Sequence, residues 1–339
     1  MIARSEGGDM GFRSMCALTL SGILLSCGCE TKAQQEFAAF QAVKNLRLPN
    51  RPGEVDLYYS TCCRERAIEV QNTLEDYLRF YEKKLGIHVQ FAVAVLDKDD
   101  WNRVDAQNPN HTGGPYGMTH WVGPPYVAFV PADDGGVITQ NLLADRVHQT
   151  TETRDLLNSV HMSFDKAASE FILHPAMHEL GHRLLREYGI QVESQESTAW
   201  FFEVLASYFA YAYEKERRPE LATIVEAVAK MSSPPVMYTA PSDLPKTLRL
   251  MATGDSSNFI WYQHRFEGRI VDVYARQGLD FLPKVKAAFS GQKGAINSRD
   301  LMSSLEQASP GFETWSSHLV NTRTDKGSKG KVGRDTNPQ

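Results

Sequence analysis

Residues 178–182 read His-Glu-Leu-Gly-His and lie inside a segment whose sequence favours a helix. Side chains four positions apart on a helix project from the same face, one turn apart. His178 and His182 therefore direct two imidazoles toward one point, and Glu179 stands beside the first of them. A catalytic zinc ion needs three protein ligands and an open position for water. The spacing predicts that both histidines bind zinc and that Glu179 is the general base toward that water.

The flanking sequence predicts where this metal helix begins and ends. The segment from Phe164 to Tyr188 has a helical pattern, with Ser163 placed to cap its start and Gly189 placed to end it in the left-handed conformation. Pro175 does not fit a helix interior. We therefore expect the metal helix to start afresh there, with the proline in its first turn.

The third ligand decides the subclass of zinc site. Metzincins continue the motif with Gly and His three and six residues after the second histidine, but Leu185 and Tyr188 occupy those positions here. The other common third ligand is a glutamate on the next helix. Glu203 is the lone acid in the apolar stretch from Ser197 to Tyr213, and an unpartnered buried carboxylate is costly. Glu203 is therefore the predicted third ligand.

Alternatives to this assignment stay open at the level of sequence. Glu203 could pair with an arginine, and Glu193 or Glu196 could bind the metal instead. The small residues Ala206, Ser207 and Ala210 lie on the same side of the helix as Glu203. They would let this helix approach the metal helix closely.

The order of elements resembles the gluzincin metalloproteases, the thermolysin-like group: a helix with the HELGH motif is followed by a loop and then by a helix with Glu203. The resemblance covers residues 55–290, although about 30 residues carry specific motifs. It implies a zincin-like fold with one Zn²⁺ per chain on His178, His182 and Glu203, and with Glu179 as base. It also implies an edge strand that binds the substrate backbone, for which Tyr126–Val130 is the candidate.

One position departs from the thermolysin pattern. Thermolysin has an aspartate four residues after the glutamate ligand, and this aspartate orients a ligand histidine. This chain has Ser207 at that position. The orientation of the histidine must therefore come from Ser207 or from another residue.

Peptide hydrolysis also needs a donor toward the charge that develops on the carbonyl oxygen. Gluzincins generally place a Tyr or His on a later helix, and Tyr262 and His264 are the candidates here. Tyr262 could instead be a core residue and His264 a solvated one. His120, in the loop before the candidate edge strand, is a further candidate. For His174, one turn before His178, we expect a surface position without a ligand role.

The rest of the chain predicts an α+β fold, with a small mixed sheet and a helix followed by a mostly helical part. Residues 55–136 form the α/β part and residues 137–318 the helical part of one metallopeptidase-like domain. Alternating or β-rich stretches predict strands, and three- and four-residue spacing predicts a helix ended by Gly86. The predicted elements are strands at Val55–Ser60, His88–Leu96 and Tyr126–Val130, a helix from Ala67 to Leu85, and a loop over residues 106–125.

The N-terminus has the features of an export signal. An arginine precedes an apolar run too short to span a bilayer, and the run ends Leu-Leu-Ser-Cys at Cys27, similar to a bacterial lipobox. We expect residues 1–29 to be a signal peptide, with lipid attachment at Cys27 and a position in the cell envelope. An ordinary cleaved signal and an uncleaved anchor are the alternatives. Residues 30–54 suit a tether, and residues 319–339 suit a disordered tail.

The formal net charge of −5 gives no reason to expect a nucleic-acid partner. Cys62 and Cys63 are adjacent, and the geometry of a disulfide is hard to meet across one peptide bond. We therefore expect these two cysteines to be packing residues rather than a redox pair. A bridge from Cys29 to one of them remains an alternative if the chain is exported.

The function expected from these patterns is zinc-dependent hydrolysis of peptide bonds outside the cytoplasm, with a protein or peptide as substrate and a lipid anchor as membrane contact. The alternative is a non-catalytic metal-binding lipoprotein that uses the fold for binding or scaffolding. A zinc enzyme that acts on cell-wall peptides is a further possibility. The sequence makes no prediction of oligomeric state or cleavage specificity.

Overall fold

The computed structural model describes residues 40–107, 116–117, 119–122, 126–190, 196–232, 236–252, 255–292 and 294–321. The predicted signal peptide with Cys27, residues 322–339 of the predicted tail, and the fallback ligand Glu193 lie outside these residues. Within the described ranges, no helix is both long enough and apolar enough to cross a bilayer.

A small mixed sheet of five strands forms the first part of the chain, in the order β1-β2-β3-β5-β4. The three central strands are parallel, and the two outer strands are antiparallel to their neighbours. The strands are β1 (Asn50–Arg51), β2 (Val55–Tyr59), β3 (Phe91–Leu96), β4 (His120–Val122) and β5 (Val127–Pro131). The three predicted strands are confirmed as β2, β3 and β5.

Two helices accompany these strands. Helix α1 (Arg64–Leu85) connects β2 to β3 and ends at Gly86 in the left-handed conformation, as its periodicity predicts. Helix α2 (Lys98–Gln107) follows β3 and was not foreseen from the sequence. This order gives two parallel pairs, β2 with β3 and β3 with β5.

Strand β3 shows that both faces of the sheet are covered. All six of its residues are buried, as expected of an interior parallel strand. Because side chains alternate along a strand, Val93 and Val95 enter the main core, and Ala92 and Ala94 enter a second apolar cluster on the opposite face.

The second apolar cluster contains residues from the predicted tether. Residues 40–45 are helical, and Ala42, Val43 and Leu48 are buried against the sheet beside Trp101. Strand β1 then pairs with β2. The prediction of a tether over residues 30–54 is therefore wrong from residue 40 onward, because these apolar side chains cover the second face of the sheet.

The edge of the sheet differs from the prediction. Strand β5, which contains most of the candidate edge strand Tyr126–Val130, pairs with β3 on one side and β4 on the other. The edge strand is β4, at His120–Val122, inside the predicted loop of residues 106–125. It contacts the metal helix. The edge-strand assignment was wrong because a strand of three residues among glycines and prolines has too little periodic signal.

Helices dominate the chain after the sheet, as predicted. They are α3 (Val137–Ala144), α4 (Thr151–Ser159), α5 (Phe164–Glu170), α6 (Leu173–Tyr188), α7 (Ala199–Arg217), α8 (Pro219–Ala229), α9 (Leu244–Ala252), α10 (Ser257–Gln277), α11 (Phe281–Phe289), α12 (Ser298–Ala308) and α13 (Phe312–Asn321). The last helix includes the buried Leu319, so residues 319–321 belong to the fold and not to the predicted tail. Helix α7 is buried along almost its whole length and packs on α6, α8 and α10.

A disulfide joins Cys62 to Cys63 at the short 3₁₀ turn before α1. The prediction that these cysteines are unbonded packing residues is therefore wrong. Disulfide geometry is hard to meet across one peptide bond, but this adjacent pair is bonded at a Cα–Cα distance of 3.8 Å.

Candidate metal centre

Helix α6 places the HELGH motif where the sequence predicts it. Ser163 caps α5 by accepting a hydrogen bond from the backbone N–H of Lys166. The chain then turns and starts α6 at Leu173, with Pro175 in the first turn. Gly189 ends α6 at a φ of 86°, so both predicted boundaries of the metal helix are confirmed.

Gly181 allows α6 and α7 to come into close contact. A Cβ atom at this position would lie 2.6 Å from the carbonyl oxygen of Ala206 and 3.0 Å from its Cα. The backbones of the two helices therefore meet directly behind the motif. The prediction that small residues on the Glu203 side permit this approach is confirmed at Ala206.

This close packing brings the three predicted ligands together. Nε2 of His178 lies 3.3 Å from one carboxylate oxygen of Glu203, and Nε2 of His182 lies 3.6 Å from the other. One ligand atom from each of the three residues lies within 4.8 Å of the other two. We call these three residues the His-His-Glu cluster. Two imidazoles and one carboxylate are a donor set that suits catalytic zinc.

Ser207 orients the first histidine. Its Oγ lies 2.9 Å from Nδ1 of His178, and both groups are buried. With Nδ1 engaged in this hydrogen bond, Nε2 is the nitrogen that faces Glu203. Of the two options that the sequence left open, the geometry supports Ser207.

Electrostatics favour the ligand form of His182 and Glu203. Burial lowers the pKa of His182 to about 4, so this imidazole is neutral at pH 7. Burial alone would raise the pKa of Glu203, but His182 and His178 lower it, and this carboxylate stays ionised. Neutral imidazoles and an ionised carboxylate are the protonation states that bind a metal ion.

Glu179 lies beside the cluster in a different electrostatic state. Burial and the nearby charge of Glu203 raise the pKa of Glu179 well above its usual value. A raised pKa is typical of a carboxylate that exchanges a proton near neutral pH. Glu179 also lines the cavity beside the cluster, so it has access to a small molecule there.

This cavity has a volume of about 150 Å³ and contains His178, Glu179 and Glu203 in its wall. Helix α10 also lines the cavity, through Gln263, His264 and Glu267. The cavity therefore combines acidic and basic groups with a large share of apolar wall, as is common in small-molecule and peptide sites.

The two candidate oxyanion donors lie in different surroundings. Tyr262 is buried in the core, where its hydroxyl donates a hydrogen bond to the carbonyl oxygen of Ala240, and it does not line the cavity. His264 does line the cavity, and its Nδ1 is buried without a hydrogen-bond partner among the described residues. Burial lowers the pKa of His264 to about 4. The structure thus brings His264, and not Tyr262, to the site.

His174 is buried between two carboxyl groups and does not lie at the surface. It is 4% exposed, with Nδ1 at 3.1 Å from Glu214 and Nε2 at 3.1 Å from Glu267. The expected surface position is therefore wrong. Burial opposes the charge on this imidazole, but the two carboxylates raise its pKa well above its usual value. A doubly protonated ring donates to both glutamates.

A signal for this second set of residues exists in the sequence. His174 shares the face of His178, one turn earlier, and Glu267 lies three residues after His264 on α10. Glu214 lies near the end of α7, in a run of charged residues that suggests exposure. The side chain of His120, the further donor candidate, lies outside the part of the chain that the structure describes in atomic detail, although its backbone forms β4.

Comparisons with known proteins add no relative. No family model matches the chain, and no curated protein or solved structure is significantly similar to it.

Proposed function

We propose that this chain is a zinc-dependent peptidase of gluzincin-like design, with a zincin-like fold around α6 and α7. The observation that carries the proposal is the His-His-Glu cluster at the wall of a cavity, with Glu179 beside it. A catalytic zinc ion needs three protein ligands and access to water. Two imidazole nitrogens and a carboxylate on two packed helices, at the wall of a cavity, meet this need. A protein or peptide is the proposed substrate.

Each residue has a separate task in this proposal. His178, His182 and Glu203 hold the ion, which when bound supplies Lewis acidity toward water and the substrate carbonyl. Ser207 keeps His178 in the orientation that exposes Nε2. Glu179 takes a proton from water and returns it to the leaving amine, a task that its raised pKa supports.

His264 is the proposed donor toward the carbonyl oxygen. Its ring lines the cavity, and its lowered pKa makes it neutral at pH 7. A neutral imidazole carries one N–H, which can stabilise developing negative charge. Tyr262 is not proposed for this task, because its hydroxyl is bonded to Ala240.

The decisive experiment measures zinc content and peptide hydrolysis in the wild type and in Glu179→Gln. We expect one zinc ion per chain in both, and a loss of about 10²–10⁴-fold in kcat/KM in the variant. Glu187→Gln is the matched control, because this residue is on the same helix but exposed. Full hydrolysis by Glu179→Gln would refute the mechanism.

A second variant tests the ligand set. Glu203→Ala removes one of three donors, so we expect stoichiometric zinc to be lost. Zinc retained without loss in this variant would refute the gluzincin-like assignment. Zinc bound by the wild type without turnover of a broad peptide library would favour the alternative, a non-catalytic metal-binding protein. Export to the cell envelope and lipid attachment at Cys27 remain predictions from the sequence.

A further inference from the structure

The two carboxylate oxygens of Glu267 differ in their hydrogen bonding. Its Oε1 lies 3.1 Å from Nε2 of His174, whereas its Oε2 is buried and has no hydrogen-bond partner among the described residues. The residue is 3% exposed and lines the same cavity as His178 and Glu179. A buried carboxylate oxygen without a partner is costly. Glu267 thus lines the cavity with a carboxyl group that has one oxygen for which the described residues supply no donor.

Carboxyl groups are the most numerous ionisable groups in the described cavity wall. Four carboxylates line the cavity, from Asp145, Glu179, Glu203 and Glu267, and its described wall includes no lysine or arginine. A metal ion at the His-His-Glu cluster would offset the charge of Glu203, and Glu267 is not part of that cluster. An occupant with a positive charge is favoured beside Glu267.

The imidazole beside Glu267 does not remove this negative charge. His174 lies between two carboxylates, Glu214 on one side and Glu267 on the other. One imidazolium carries a single positive charge and contacts two carboxyl groups, so it cannot offset a negative charge on both of them. Of the two carboxyl groups that contact His174, the one of Glu267 belongs to a residue that lines the cavity, whereas Glu214 does not line it.

Glu267 also contacts the helix that carries two of the three residues of the His-His-Glu cluster. Glu267 contacts His174, which precedes His178 by one turn of α6, or about 6 Å along the helix axis. The cavity wall is apolar at Ile138, Leu142 and Val228. A lysine or arginine side chain has an apolar stem and a charged end, and it matches an apolar wall with an acid at its end. An N-terminal amine lacks the stem.

We propose that Glu267 binds the positively charged side chain of a lysine or arginine beside the scissile bond of the substrate. This inference rests on the proposed peptidase function, whose substrate it specifies. In it, Glu267 is a specificity residue: its free oxygen accepts hydrogen bonds from the ammonium or guanidinium group. The apolar residues of the cavity hold the stem of that side chain.

The test compares acetylated and amidated peptides that differ by lysine or norleucine at each position next to the scissile bond. We expect wild type to prefer lysine at one position by about tenfold or more in kcat/KM, because the pocket would otherwise hold an unpaired acid. In Glu267→Gln the preference should fall to near one. Asp272→Asn, an exposed acid on the same helix, is the control and should keep the wild-type preference.

Several outcomes would overturn the inference. Wild type without a preference for a basic residue would refute it, and this arm needs no variant to fold. An unchanged preference in Glu267→Gln would also refute it. A preference for peptides with a free N-terminus over acetylated ones, independent of lysine, would show that Glu267 binds an N-terminal amine instead. A second zinc ion per chain that is lost in Glu267→Gln would show that Glu267 binds a metal ion instead.

A binding measurement separates this inference from the proposed function. Calorimetry with the zinc-loaded Glu179→Gln chain measures the affinity for the lysine and norleucine peptides without turnover. The inference predicts that this chain binds the lysine peptide more tightly than the norleucine peptide, and that the double variant with Glu267→Gln does not. That result would support the pocket even if wild type hydrolyses nothing. Hydrolysis without any lysine preference would leave the peptidase proposal intact and refute the pocket.

Discussion

Single hydroxyls and imidazoles set the properties of the candidate site. Ser207 occupies the position at which thermolysin has an aspartate, and its Oγ lies 2.9 Å from Nδ1 of His178. A hydroxyl can accept the N–H of the ring, but it carries no charge that would increase the basicity of the imidazole. The contact that orients His178 is therefore made by an uncharged group.

Replacement of Ser207 by alanine should weaken zinc binding. Without the hydroxyl, the ring of His178 loses the contact that fixes its tautomer, and we expect affinity to fall about 10–100-fold. Competition with a chelator measures this change. Ser309→Ala is the control, because that serine is equally buried and its hydroxyl has no hydrogen-bond partner among the described residues. Equal affinities in both variants would contradict the role of Ser207.

His264 should give the metal-free chain a measurable pH dependence. Burial lowers its pKa from 6.5 to about 4, so between these values the unfolded chain binds a proton that the folded chain does not. Stability is then lost as the pH falls through this window. We expect His264 to contribute a loss of about 2 kcal/mol between about pH 7.5 and pH 5.

Urea unfolding in the presence of a chelator checks this expectation. His264→Gln has no titrating imidazole, so the difference in unfolding free energy between the two pH values should be smaller in the variant than in wild type. The other titrating groups contribute to both proteins. Parallel pH profiles for the two chains would show that His264 is not buried as described.

At the scale of elements, the contact between α6 and α7 determines whether the cluster forms. The two histidines belong to one helix and Glu203 to the next. Their distance depends on how closely the backbones approach, and Gly181 faces Ala206 at this contact. Any side chain at position 181 would force the helices apart.

Gly181→Ala should therefore damage both stability and metal binding. The added Cβ would meet backbone atoms of Ala206, which cannot move independently of α7, and we expect a loss of about 1–3 kcal/mol in unfolding free energy. Zinc affinity should fall as well. Gly268→Ala on α10 is the matched control, since a Cβ there meets no atom within 4 Å and alanine favours a helix. A neutral Gly181→Ala variant would contradict the described contact.

The parts of the site that sequence could predict are those with local signals. The HELGH motif predicts that its two histidines lie close together, because residues four apart share one face of a helix. Glu203 can be picked out because it is the lone acid in an apolar run. The contacts of His174 join residues 40 and 93 positions apart. No local pattern specifies such pairs, because they follow from how α6, α7 and α10 pack.

At the scale of the whole molecule, the fold class was predictable and the limits of the domain were not. The mixed sheet followed by helices is confirmed, since strand alternation and helical periodicity are strong over these lengths. The chain before residue 55 reads as polar, yet its few apolar residues cover one face of the sheet. The polar average composition of residues 30–54 gives no sign of where these few apolar residues pack.

Removal of this segment should destabilise the domain. A chain that begins at residue 53 lacks Ala42, Val43 and Leu48, which leaves the second face of the sheet exposed. Relative to a chain that begins at residue 38, we expect a loss of roughly 3 kcal/mol or more in unfolding free energy, from about 1.5–3 kcal/mol per large buried apolar side chain. Chemical denaturation of both chains measures the difference. Equal midpoints would contradict the packing of residues 40–48.

The disulfide between Cys62 and Cys63 has a practical consequence for work on this domain. The other three cysteines of the sequence are at positions 16, 27 and 29. A chain that begins at residue 38 would therefore present no free thiol to a thiol-reactive reagent. One cysteine introduced on α10 would then accept a spin label or fluorophore as the sole site of reaction. Distances from that label to an added paramagnetic metal ion could then be measured, which would test whether the ion binds at the His-His-Glu cluster.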